Sequence, residues 1–141
     1  EWITSGLGGR DPQTAVPPWT MRRFLAEMAG RARRWTDQRL TVGLATPRAL
    51  PLVRGLDLDF FQVHWYDRSE RRCPLDRPVG RLGLDRPLLL GEYPTRNSAR
   101  SEDEIVTLAR RNGYAGALAW SLLGTDPASR PAAAEDGPPP A

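Results

Sequence analysis

The sequence predicts an α/β fold with a parallel sheet, and three features carry that expectation. Four apolar segments of strand length are separated by helical patterns or long crossovers. One of them, residues 87–92 (PLLLGE), is a nearly continuous apolar run, which suits a parallel strand covered on both faces. The intervals between strands are long enough to bring the chain back to the same end of a sheet. No internal repeat is visible beyond this alternation.

In chain order, residues 1–18 read as a loop, because Gly6, Gly8, Gly9, Pro12, Pro17 and Pro18 interrupt any period. A helix is predicted over residues 20–35. Met21, Phe24, Leu25, Met28, Ala29, Ala32 and Trp35 fall on one apolar stripe at helical spacing. Arg22, Arg23, Glu27, Arg31, Arg33 and Arg34 lie off the stripe and read as a solvated face. A short strand follows at residues 40–45, ended by Thr46-Pro47, with one helical turn over 49–53. The second strand, 60–66 (FFQVHWY), is rich in aromatic and β-branched residues. Residues 67–86 carry charge, Pro and Gly without a sustained period, a length that in a plain loop signals function or mobility. The third strand is 87–92. Ser101 and Glu104 form a capping box: the hydroxyl accepts from the Glu104 amide, and the carboxylate reaches back to the Ser101 amide. That helix runs to about Asn112 with Ile105, Leu108 and Ala109 on one face, and Gly113 stops it. The fourth strand spans 115–121, and the Pro/Ala-rich tail from Pro127 is expected to be disordered.

Composition narrows the function. At 141 residues the chain has room for one domain, and 40% apolar residues are enough for a core. All 20 basic residues are arginine, but they are interspersed with 17 acids, so a pI near 9.7 does not mark a nucleic-acid partner. The single cysteine, Cys73, excludes an internal disulfide framework and a multi-cysteine zinc site. The single histidine, His64, excludes a multi-histidine metal site. Other catalytic patterns are missing: there is no phosphate loop, no Gly-x-Gly-x-x-Gly and no Gly-x-Ser-x-Gly elbow. No apolar run has the length of a membrane span. The first residue is Glu rather than Met, so the chain is expected to begin inside a longer reading frame or after a cleavage.

Chemistry gathers at the strand ends. The second strand ends in His64-Trp65-Tyr66, the third in Gly91-Glu92 and the fourth in Trp120-Ser121. Parallel α/β sheets place their sites at the C-terminal ends of strands. Alternation puts His64 and Tyr66 on one face and Trp65 on the other, with Trp65 packed as core. The same rule puts Glu92 on the face of Leu88 and Leu90, and Trp120 on the face of Leu118 and Gly116. Each residue also has a structural reading: a surface acid, a hydrogen-bonded core histidine, packed aromatics. Cys73 receives no role.

At these residues the chain resembles the C-terminal half of a clan A glycoside hydrolase, and is most similar to the cellulase- and mannanase-like enzymes of family 5. The resemblance covers residues 1 to about 126, with 127–141 as the tail. It rests on DFFQVHWYD, LDRPLLLGEYP and GYAGALAWS in that order. It implies strands five to eight of a (β/α)₈ barrel, with the N-terminal half outside this chain. It further implies a retaining mechanism on a β-linked polysaccharide or oligosaccharide, Glu92 as nucleophile, and His64, Tyr66 and Trp120 as substrate-site residues. Glu1-Trp2 resembles the end of the family's Asn-Glu-Pro-Glu-Trp, which puts the acid/base glutamate two positions before residue 1; a register making Glu1 itself the acid/base is the alternative. The resemblance implies no cofactor or metal and a carbohydrate partner; such enzymes are often secreted, which suggests secretion by resemblance only and leaves the compartment open. The fragment alone is expected to be inactive. The rival reading is a non-catalytic carbohydrate-binding or assembly module derived from the same fold.

Overall fold

The computed structural model describes residues 13, 15–67 and 73–121. The opening segment with Glu1, the expected tail and the boundary at residue 126 lie outside the described residues.

Helix α1 (Pro18–Arg33) starts on a proline, whose missing N–H sits where a helix has an unsatisfied donor anyway. The predicted apolar stripe is split. Ala29 is buried and Leu25 packs on the core, whereas Phe24, Met28 and Trp35 are exposed. Two arginines expected in solvent turn inward instead. The Arg22 guanidinium donates to the Leu52 carbonyl at 2.8 Å, and Arg33 donates to Asp59 at 2.5 Å and to the Gln38 carbonyl at 3.1 Å. Both guanidinium heads find acceptors on the protein, which a rule sorting residues by polarity alone does not capture.

The sheet holds four parallel strands, β1 (Gly43–Leu44), β2 (Phe61–His64), β3 (Leu88–Pro94) and β4 (Ala117–Trp120), in the order β1-β2-β3-β4. Each strand joins on the same side of the one before it. With crossovers of one hand, that order puts every connection on one face, as in a barrel wall, rather than on both faces as in a doubly wound sheet. The fold is therefore α/β with a parallel sheet, as the sequence predicts.

The covering layer consists of the 3-10 segment Pro47–Leu52, the 3-10 turns Pro74–Asp76 and Val79–Leu82, and helix α2 (Glu102–Arg111). Part of the stretch read as a loop over 67–86 thus belongs to the wall of the core. Leu75 is fully buried, and Val79, Leu82 and Leu84 pack against the core. Short 3-10 turns opened by Pro74 and Pro78 leave no helical period to detect. Under this layer lie Val53, Phe61, Val63, Leu88, Leu90 and Ile105. Phe61→Ala here would cost about 3–5 kcal/mol, the range for large-to-small core changes. Trp65 extends the same face and is 2% exposed, as alternation requires. Helix α2 has the expected capping box, and Gly113 follows it with φ +81. The Asn112 amide and the Tyr114 hydroxyl donate to the carbonyls of Leu75 and Pro74, pinning the helix end to the covering turn beside it.

Candidate active site

The other face of the sheet is polar at its C-terminal end. Gln62, His64 and Tyr66 alternate onto it from β2 and its continuation, all partly exposed. Opposite them stands Glu92. The Tyr66 hydroxyl donates to Glu92 Oε2 at 2.9 Å, and His64 Nδ1 lies 3.3 Å from the same oxygen. Gln62 Nε2 lies 3.1 Å from His64 Nε2. Three of the four residues singled out by the sequence are thus brought together.

The position of Glu92 corrects the alternation argument. Leu88 and Leu90 are fully buried under the covering layer, whereas the Glu92 side chain is 23% exposed on the open face. The ladder shows why: Val63 pairs with Leu90, but the next residue, His64, pairs with Glu92. One residue on β2 faces two on β3, a bulge centred on Gly91 that re-aims the side chain after it. Glycine is needed there, since a Cβ on Gly91 would sit 2.2 Å from Gln62 Cγ. The Trp65 amide donates to the Glu92 carbonyl at 3.0 Å and holds the backbone beyond the bulge.

Sequence reasoning missed Gln62. Its signal was available: a polar residue two positions before His64 on an otherwise apolar strand. Asp67 was also missed. Its Oδ2 accepts from the Ser98 hydroxyl at 3.0 Å and the Ala99 amide at 2.6 Å, tying the connection after β2 to the one after β3.

Trp120 stays outside the hydrogen-bonded group. It pairs at the level of Pro94, two residues past Glu92, and is 44% exposed. A Cβ on Gly116 would meet Leu89 Cδ1, which puts Gly116, Leu118 and Trp120 on the open face as alternation predicts. The Trp120–Ser121 peptide is cis. Cys73 lies elsewhere, in a cavity of about 200 Å³ within the covering layer, and burial pushes its thiol up.

The arrangement fixes a carboxylate by one oxygen. Oε2 faces a phenol and an imidazole, so the side chain keeps one orientation, and Oε1 lies outside that network. Among the described residues, no second carboxyl group bonds to Glu92 and no cluster of His, Cys, Asp or Glu is arranged to hold a metal ion.

No family model matches the chain, and no curated protein matches it. Its fold is similar to two solved structures. One is an endo-1,4-β-mannanase from Eisenia fetida, with a TM-score of 0.71 and 22% identity over 93% of this chain and 45% of that one. The other is a β-1,4-D-mannanase from Cryptopygus antarcticus, with a TM-score of 0.59 and 20% identity over 85% and 40%. The chain spans less than half the length of either neighbour.

Proposed function

We propose that this chain is the nucleophile-bearing half of a retaining glycoside hydrolase of the family 5 type, acting on a β-linked polysaccharide with β-1,4-mannan as the first candidate. The observation that carries the reading is Glu92 itself: a carboxylate at the C-terminal end of a parallel strand, held through Oε2 by Tyr66 and His64, with Oε1 outside that network. The fold likeness to two mannanases supports it and favours mannan over glucan as the substrate.

In this reading Glu92 Oε1 attacks the anomeric carbon and forms an ester to the sugar, while the glycosidic oxygen leaves with a proton from a carboxylic acid. The resulting carboxylate then takes a proton from water, whose oxygen attacks the anomeric carbon and releases Glu92. The two carboxyl groups must stand roughly 5–5.5 Å apart. In this reading the second one lies in the half of the barrel that the family 5 resemblance puts before residue 1, with the register that makes Glu1 the acid/base as the alternative. Tyr66 and His64 hold the nucleophile in line, and Trp120 offers a flat apolar face to a pyranose ring.

The test is Glu92→Gln in the full-length parent, assayed on β-1,4-mannan and β-1,4-glucan. Turnover should fall by about 10⁴-fold or more, the scale on which removal of a covalent nucleophile acts. Near-normal turnover would remove Glu92 from the mechanism. A wild-type parent that binds glycan without cleaving any would support the binding-module reading instead.

A further inference from the structure

We propose that Gln62 is a positioning residue: it sets the tautomer of His64 and thereby the donor that His64 presents to Glu92. A neutral imidazole carries one N–H. His64 has a polar neighbour at each ring nitrogen, Glu92 Oε2 at Nδ1 and the Gln62 amide at Nε2. An ionised carboxylate only accepts, so a hydrogen bond on that side requires the proton on Nδ1. Nε2 is then the acceptor, and the amide nitrogen of Gln62, 3.1 Å away, is the donor facing it. The opposite tautomer needs the amide turned over so that its oxygen faces Nε2. It also leaves a bare Nδ1 lone pair against carboxylate oxygen.

The surroundings leave room for both partners of this contact. A Cβ on Gly91 would lie 2.3 Å from Gln62 Nε2, and a Cβ on Gly43 would lie 2.8 Å from His64 Nε2. Glycines on the strands at either side therefore leave the amide and the ring the space they fill. Gln62, His64 and Glu92 form one relay across β2 and β3, with its far end on a residue that touches no reacting atom. The catalytic consequence rests on the nucleophile reading above: with the Nδ1 proton in place, Oε2 has two donors and Oε1 is the oxygen left for the substrate.

The chain has a single histidine, so labelling histidine with ¹⁵N leaves one imidazole to observe. A magic-angle-spinning ¹⁵N spectrum reads which nitrogen is protonated and does not depend on particle size. At about pH 8 the wild-type chain should show Nδ1 protonated and Nε2 bare. Gln62→Leu removes the donor at Nε2 while Glu92 still faces Nδ1, so it should raise the share of the Nε2–H form without making it the sole one. Gln62→Glu, which offers Nε2 only an acceptor, should move a proton onto Nε2. A wild-type ring protonated on Nε2 or on both nitrogens would overturn the proposal. So would a Gln62→Leu chain, folded by circular dichroism, that keeps the pure Nδ1–H form. In the parent enzyme Gln62→Leu should lower kcat by up to about tenfold, the size of one neutral hydrogen bond, with KM little changed. A parent without glycosidase activity would refute the proposed function and leave the spectra as they are, so the two failures are distinguishable.

Discussion

A missing side chain decides where the carboxylate points. The bulge at Gly91 requires glycine because Gln62 occupies the space a Cβ would need. Gly91→Ala should therefore destabilise the chain by about 1–3 kcal/mol, the usual range for overpacking, and displace Glu92 from Tyr66. Urea unfolding measures the first effect and activity of the parent the second; a variant that matches wild type in both would mean that Gln62 swings aside freely. The two tryptophans separate packing from binding. Trp65 is 2% exposed, so Trp65→Ala should cost about 3–5 kcal/mol in stability. Trp120 is 44% exposed. Its truncation should leave the melting temperature nearly unchanged and weaken glycan binding in the parent by about 1–3 kcal/mol, on the scale of losing an aromatic stacking platform for a nucleobase. An early melt with intact affinity would assign Trp120 to packing. His64, Tyr66 and Glu92 were legible because each follows an apolar strand at the end where parallel sheets put chemistry. The face of Glu92 was not legible, since a period of two counts residues and a single bulged residue reverses every face after it.

Among the elements, α2 was the most readable, because its ends are written in side chains: Ser101 and Glu104 at the start, Gly113 after the end. Ser101→Ala should cost about 1 kcal/mol, the typical value of an N-cap, measurable by thermal unfolding. Helix α1 was readable as a helix but not in its orientation, because Arg22 and Arg33 find carbonyl and carboxylate partners on its inner side. The acceptor Asp59 gives this junction a pH dependence. The Leu40 amide, and after it the Arg33 guanidinium, hold the Asp59 carboxyl below its ordinary value. A depressed folded value means that the unfolded chain takes up the proton first as pH falls. The contribution of Asp59 is therefore complete above the ordinary carboxylate range near 3.9 and is lost below it, down through the depressed folded value. Wild-type stability should drop more steeply than that of Asp59→Asn as pH is lowered through 4 to about 2, in urea titrations at matched ionic strength. Parallel curves would mean that the Asp59 carboxylate contributes nothing to the junction.

At the scale of the whole molecule, the sheet ends at β1 on one side and β4 on the other, and neither edge has a further strand among the described residues. Large apolar side chains are also left exposed among the described residues: Trp19, Phe24, Met28 and Trp35 on or just after α1, Val106 on α2, and Leu118 and Trp120 on the edge strand β4. Unpaired strand edges next to exposed aromatic and aliphatic side chains invite pairing with another chain, and closing a barrel is what removes them. Both mannanase neighbours are more than twice as long as the part this chain matches. The 141-residue chain on its own should therefore self-associate, and light scattering after size exclusion should report a mass above 15.7 kDa that rises with concentration. Charges on the open flank, as in Phe24→Lys with Met28→Lys, should reduce that association without loss of helix signal, because neither side chain is part of the buried core. Association by itself should not restore chemistry. A retaining mechanism needs a second carboxyl group, and general acid–base catalysis typically contributes about 10²–10⁴-fold, so turnover of β-1,4-mannan by the isolated chain should stay at background in every oligomeric state. A stable monomer with measurable turnover would overturn both halves of this expectation: the open edges would then be closed by the chain itself, and the acid/base would have to come from within its own 141 residues.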